Sequence, residues 1–187
     1  MNQTTNLSNH FLIAMPKLAD PNFHHAVTYI CEHNPEGAMG LIINRPMDLN
    51  LSEVLQQMDI EVKDKQIEQV SVFYGGPVQE ERGFVLHRPA TLWESSVVVS
   101  DQLAITTSKD ILIEIAQGKG PAQYLITLGY AGWGAGQLEA ELAGNSWLSG
   151  PADLNVVFEE PAENRWMRAA QGLGVDINLL SGDAGHA

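Results

Sequence analysis

Residues 9–46 read NHFLIAMPKLADPNFHHAVTYICEHNPEGAMGLIINRP, and they set the architecture of the chain. Residues 26–33 alternate well enough for a strand, Asn34-Pro35-Glu36-Gly37 is a strong turn, and residues 38–45 return as a second strand ended by Pro46. A shorter apolar run, residues 11–15, precedes them and stops at Pro16; Asp20-Pro21-Asn22 is a turn. The same stretch holds the only cysteine, Cys31, and four of the six histidines. Side chains along a strand alternate between its faces. His25, Val27, Tyr29, Cys31 and His33 are therefore expected on one face, with His24, Thr28, Ile30 and Glu32 on the other. A turn at 34–37 pairs His33 with Ala38 and Cys31 with Gly40, which would leave room above the thiol.

This placement makes Cys31 a candidate nucleophile or redox group with His33 as its base. The competing reading takes Cys31 as a small buried hydrophobe and the histidines as polar rim. Asp20, Asn44 and Arg45 are candidate binding residues, Arg45 for an anion. A metal site is not expected. His24, His25, Glu32 and His33 lack the spacing of known motifs, and adjacent strand histidines point opposite ways. No cofactor fingerprint is present either.

Outward from the hairpin, Asn50 with Glu53 three residues on has the spacing of a capping box, and Leu51, Val54, Leu55 and Met58 form a helical stripe. Strands are expected at 70–74, 83–87, 96–99 and around 102–106. Arg82 and His87, just before and at the end of the second of these, could bind an anion, with surface pairing the favoured reading. Ser108 caps a second helix with core face Ile111, Leu112, Ile115 and Ala116, ended by Gly118. A strand at 123–128 runs into GYAGWGAG (residues 129–136) and a third helix through Ala143. A strand is expected within 147–158, most clearly at 154–158. Pro161 suits the start of a last helix carrying Trp166, Ala169, Ala170 and Leu173. Strands outnumber helices without strict alternation, which argues for α+β with a mainly antiparallel or mixed sheet.

A strand, glycines and a helix is where phosphate loops occur, so Gly132, Gly134 and Gly136 are candidate anion-binding residues. The spacing is GxGxG, and Gln137 stands where a dinucleotide fingerprint needs its third glycine. Glu139 and Glu141 would repel a phosphate. A tight strand-to-helix crossing is the favoured reading.

The 187 residues, 44% apolar and 18% charged, fit one domain over 1–187, with flexible polar ends at 1–8 and 181–187. A net charge of −13 with no Lys/Arg cluster argues against direct nucleic-acid binding. One cysteine permits no internal disulfide, and no apolar run is long enough for a signal peptide or a membrane span. A cytoplasmic protein with no membrane partner is expected.

Five blocks together resemble the YqgE/AlgH family of bacterial proteins: residues 14–46, YGGPVQEERGFVLH, LGYAGWGAGQLEAELAGNSWL, FEEPAENRW and the terminal GHA. The resemblance spans essentially the whole chain. It implies a bent, bifurcated sheet forming a pseudo-barrel flanked by helices. It brings no established activity and no agreed catalytic residues; members are often labelled transcriptional regulators. The leading expectation is a regulatory or interaction protein without its own chemistry, acting through another protein. The alternatives are an enzyme or thiol sensor using Cys31, and a module binding a small ligand.

Overall fold

A 12-residue strand near the middle of the molecule organises everything else. The computed structural model describes residues 5–180. Its strands are β1 (His10–Ala14), β2 (Val27–Asn34), β3 (Gly37–Ile42), β4 (Pro46–Asn50), β5 (Ser71–Tyr74), β6 (Val78–Arg88), β7 (Ser96–Val98), β8 (Ala104–Thr106), β9 (Gln123–Gly134) and β10 (Trp147–Pro151). Its helices are α1 (Leu51–Gln57), α2 (Lys109–Ala116), α3 (Gln137–Ala143), α4 (Leu154–Phe158) and α5 (Arg165–Gly172). All strands join one sheet, ordered β10-β1-β2-β3-β9-β6-β8-β7, with β4 and β5 branching off at β9. Every pairing is antiparallel except β5 with β9.

The sheet curls into a half-barrel, and its two faces bury different residues. Phe11, Ile13, Val27, Tyr29, Leu41, Phe84, Leu86 and Leu125 face the concave side. There α4 and α5 close one end with Leu154, Val157, Ala169 and Ala170. Outside, α1 and α2 cover Val85 and Ile126 with Leu51, Leu55, Ile111 and Ile115. Near β1 and β2 the outer face is covered by Leu138 of α3, with Trp133 and Trp147 alongside. Buried Arg165 fastens α5 to the sheet: its guanidinium donates to the Ile43 and Glu160 carbonyls and lies 5.0 Å over the Phe73 ring.

Local chemistry accounts for the element ends. Asn50 accepts from the Glu53 amide at 3.0 Å while the Glu53 carboxylate accepts from the Asn50 amide, the capping box read in the sequence. Two expectations are corrected. Residues 154–158 form a helix, not a strand, and the strand of that region is β10. A five-residue apolar run suits either structure; Asp153 decides it by accepting from the Asn155 amide at 3.0 Å as an N-cap. The glycines of 129–134 are not a loop before a helix, because β9 continues through them to Gly134.

β9 also breaks its own alternation. Leu125 faces inward and Ile126 outward, yet Tyr130 faces inward again, five residues after Leu125. Gly129, with φ of 78°, absorbs the extra half-step. A Cβ there would sit 2.3 Å from the Gly76 carbonyl oxygen, so the backbones of β9 and the β5–β6 connection meet only because neither has a side chain at that point.

Of the ends read as flexible, residues 1–4 and 181–187 lie outside the described residues, whereas Leu7 is buried. No helix among the described residues is long and apolar enough to cross a membrane.

Gly129→Ala combines positive φ with a backbone clash. It is expected to cost about 3 kcal/mol of stability, measured by urea denaturation; a loss within the range of an ordinary surface change would contradict the close approach.

Candidate functional site

One extra residue in β2 decides where the reactive side chains go. Ile30 pairs with Gly40, Glu32 with Met39 and His33 with Ala38, leaving Cys31 unpaired in a β-bulge. Two residues then oppose one, and both turn toward the same side. Cys31 and Glu32 therefore share the concave face with Met39, and His33 passes to the outer face. The expected pairing of Cys31 with Gly40 and the expected Cys31–His33 face are both overturned. Alternation fails because the strand carries one residue more than its partner.

Each of the two is then held in an unreactive state. The Cys31 thiol is half-buried and donates to the Tyr29 carbonyl at 3.7 Å. Burial, with the Glu32 charge beside it, pushes its pKa up, so it stays protonated. On the other face, His33 is almost sealed. Its Nδ1 accepts from the Leu7 amide at 3.0 Å, which leaves the proton on Nε2, donating to Glu139 Oε1 at 2.6 Å. The Glu139 carboxyl is held below its usual range by its own backbone N–H and by His33. Among the described residues no imidazole hydrogen-bonds the thiol.

Asp20, Asn44 and Arg45 converge, but on backbone. Asn44 Oδ1 accepts from the Val27 amide at 2.9 Å and its Nδ2 donates to the His25 carbonyl at 2.9 Å. The Arg45 guanidinium donates to the carbonyls of Pro21, Asn22 and His24. Asp20 accepts from the Asn22 amide at 2.9 Å. Together they clamp the 20–25 loop and hold His25 at φ of 55°, its ring stacked 3.9 Å from both His24 and Trp166. These residues shape a loop, and Arg45 has little left to offer an anion.

The glycine candidates separate as well. Gly132 pairs with Met39 and Gly134 with Gly37 inside the sheet, and only Gly136 begins a helix. Glu139 and Glu141 in that helix serve neighbours: Glu141 Oε1 accepts from the indole N–H groups of Trp133 (3.3 Å) and Trp147 (3.0 Å).

What the sequence did not reveal is the hollow inside the half-barrel, about 360 Å³ in volume. Neighbouring strands contribute in order: Cys31 and Glu32 from β2, Met39 from β3, Tyr130 from β9, Arg82 and Phe84 from β6, Ile105 from β8 and Val97 from β7. Its walls are apolar and two opposite charges stand in its lining. A roomier cleft of about 470 Å³ lies between β6, α1 and α2, but the Lys109 ammonium that lines it already donates to the Met58 carbonyl at 3.3 Å.

His87, read as a surface residue, is fully buried. Its Nδ1 donates to the Pro89 carbonyl at 3.1 Å, and its Nε2 meets Thr106 Oγ1 at 2.7 Å. Thr106 in turn meets Ser96 Oγ at 2.7 Å, and Ser96 accepts from the Trp93 amide. This polar chain ties β6, β8 and β7 together on the face of the sheet opposite the hollow. Burial lowers the His87 pKa. Among the described residues no group of three or more His, Cys, Asp or Glu side chains could hold a metal ion.

A family model described as AlgH-like (DUF179) matches residues 11–178. The chain belongs to the AlgH-like family. A UPF0301 protein of Thioalkalivibrio sulfidiphilus is 58% identical over 187 residues, covering all of both chains. A UPF0301 protein of Methylococcus capsulatus is 56% identical over 180 residues, 96% of each. The solution structure of the AlgH protein from Pseudomonas aeruginosa matches with a TM-score of 0.81 at 51% identity, covering all of both chains. A crystal structure from Corynebacterium diphtheriae, 18% identical, shares the fold with a TM-score of 0.76 over 97% of this chain and 94% of that one. The α+β pseudo-barrel expected for an AlgH-like chain is the fold observed.

Two measurements test these environments. Alkylation of Cys31 in the native protein should remain far slower than that of a free thiol up to about pH 9; a fast phase near neutral pH would contradict the raised pKa. Stability should fall as the pH drops below about 6.5, because the unfolded chain takes up a proton at position 87 that the folded state resists. His25, also lowered by burial, adds in the same direction. In urea melts between pH 7 and 5, His87→Gln should flatten this dependence; an unchanged slope would count against it.

Proposed function

We propose that this chain is a non-catalytic regulatory protein whose half-barrel hollow takes a small amphipathic ligand. The observation that carries the reading is the hollow itself: an apolar interior lined from six strands, with Arg82 and Glu32 in its lining. Pockets of a few hundred Å³, mostly apolar with a few placed polar groups, are the usual form of small-molecule sites. The protonated Cys31 and the sealed His33 weigh against thiol catalysis at the same place. The net charge of −13 weighs against direct nucleic-acid contact, so an effect on transcription would pass through another protein. A lone thiol suits the reducing cytoplasm.

A partner-binding role has its own support at the lip of the hollow. Among the described residues β7 pairs with β8 alone and ends the sheet, and it exposes Val97 and Val98. A free edge with apolar side chains is suited to adding a strand from another protein. Val98→Lys should then abolish recovery of a reproducible partner in crosslinking from native lysate; recovery at the wild-type level would exclude that edge.

The neutral fluorophore N-phenyl-1-naphthylamine should bind once per chain with enhanced emission and raise the melting temperature. Met39→Trp, which fills the hollow, should remove this binding while the protein remains folded. Absence of saturable binding, or binding indifferent to Met39→Trp, would overturn the ligand reading.

A further inference from the structure

Two charges of opposite sign stand in the lining of the hollow, and neither has an ionic partner among the described residues. Glu32 accepts from the Asn34 side-chain amide at 3.3 Å. Arg82 meets the Gln79 side chain at 3.4 Å and lies 5.3 Å over the Phe84 ring, so most of its N–H groups remain free. Both side chains are exposed, and the bulge at Cys31 is what turns Glu32 into the hollow that Arg82 also lines. Below them the walls are Met39, Phe84, Val97, Val99, Ile105 and Tyr130.

This arrangement constrains the ligand by charge as well as by volume. A simple carboxylate would meet Arg82 favourably and Glu32 unfavourably; a simple amine would meet the reverse. A zwitterion satisfies both. In the sheet order β2-β3-β9-β6, the strands carrying Glu32 and Arg82 are three spacings apart. Along the strands they are also offset by about three residues, since Glu32 lies beside Met39 and Gly132 while Arg82 precedes Gly83, which pairs with Leu128; laid flat, the two backbones are roughly 17 Å apart. The two extended side chains together reach about 10 Å on ordinary bond lengths. The gap left, roughly 7 Å, spans an α-amino acid hydrogen-bonded at each end through its ammonium and its carboxylate, and is too short for charges at the two ends of a long chain.

We propose that the hollow binds a free apolar α-amino acid, with its carboxylate on Arg82, its ammonium on Glu32, and its side chain among Met39, Phe84, Ile105 and Tyr130. This rests on the ligand-binding reading above and names the class of ligand.

The experiment is a calorimetric titration of the full-length protein with L-phenylalanine and L-leucine, each also tested for displacing N-phenyl-1-naphthylamine. Saturable binding and displacement are expected. Phenylethylamine, lacking the carboxylate, and N-acetyl-L-phenylalanine, lacking the charged amine, should each bind at least about tenfold more weakly. The variants should respond in a crossed pattern. Arg82→Gln should weaken phenylalanine about tenfold and leave phenylethylamine unchanged or tighter; Glu32→Gln should weaken phenylalanine and leave the N-acetyl compound unchanged or tighter. Both variants should still bind the neutral fluorophore, which shows that the hollow is intact. Fluorophore binding that neither amino acid displaces would overturn the zwitterion while leaving the hollow a ligand site. Tight binding of one singly charged analogue, or a uniform response of all ligands to either variant, would also overturn it. If the fluorophore itself does not bind, both readings fall.

Discussion

A strand hands its side chains alternately to its two faces, so a curled sheet lines a continuous interior only if each strand arrives there with the right residue turned inward. In this protein two strands meet that demand by breaking step. Gly129 resets β9 so that Tyr130 faces inward, and the unpaired Cys31 resets β2 so that Glu32 does. Without the first, the inward face of β9 beyond Leu128 would carry the side chains that now cover the outside, Ala131 and Trp133. Without the second, Glu32 would face outward and His33 inward. The hollow, the sealed imidazole and the closed aromatic cluster around Glu141 all follow from those two irregularities.

Much of the fold could be read from residue pattern. The β2–β3 hairpin, the capping box at Asn50 and the end of α2 at Gly118 rest on local chemistry that acts the same way in any context. The α4 segment could not be read this way, because LNVVF has no period long enough to separate helix from strand and its cap is a single aspartate. The candidate site was less legible. Cys31, His33, Asn44 and Arg45 drew notice as reactive or polar types in apolar sequence, and each is engaged in holding the structure. A bulge leaves no mark in the sequence of its own strand; it exists only relative to the partner's count. For the same reason Met39 carried no signal and Arg82 read as one of a surface pair, since these two meet Tyr130 only when the three strands β3, β9 and β6 lie side by side.

The polar residues divide by what they touch. Asn44, Arg45 and Arg165 spend their donors on backbone carbonyls that would otherwise be unsatisfied in irregular segments. His87, Thr106 and Ser96 saturate one another. Glu139 and Glu141 answer an imidazole and two indoles. Arg82 and Glu32 differ: among the described residues each has one long side-chain hydrogen bond and no ionic partner, and both line one apolar space.

The position of β9 bears on how the molecule assembles as it is made. β3, β5 and β6 all await a strand at residues 123–134, and β1 awaits β10 at 147–151. While the chain leaves the ribosome, the β2–β3 hairpin emerges early with one edge bare, and β9 cannot cover that edge until some ninety further residues have followed. The nascent chain thus carries an unpaired, strongly apolar ribbon for several seconds at ordinary synthesis rates. Gly37 and Gly40 weaken that ribbon's capacity to recruit a stray strand. The glycines that shape the finished sheet therefore also restrain it while it is incomplete.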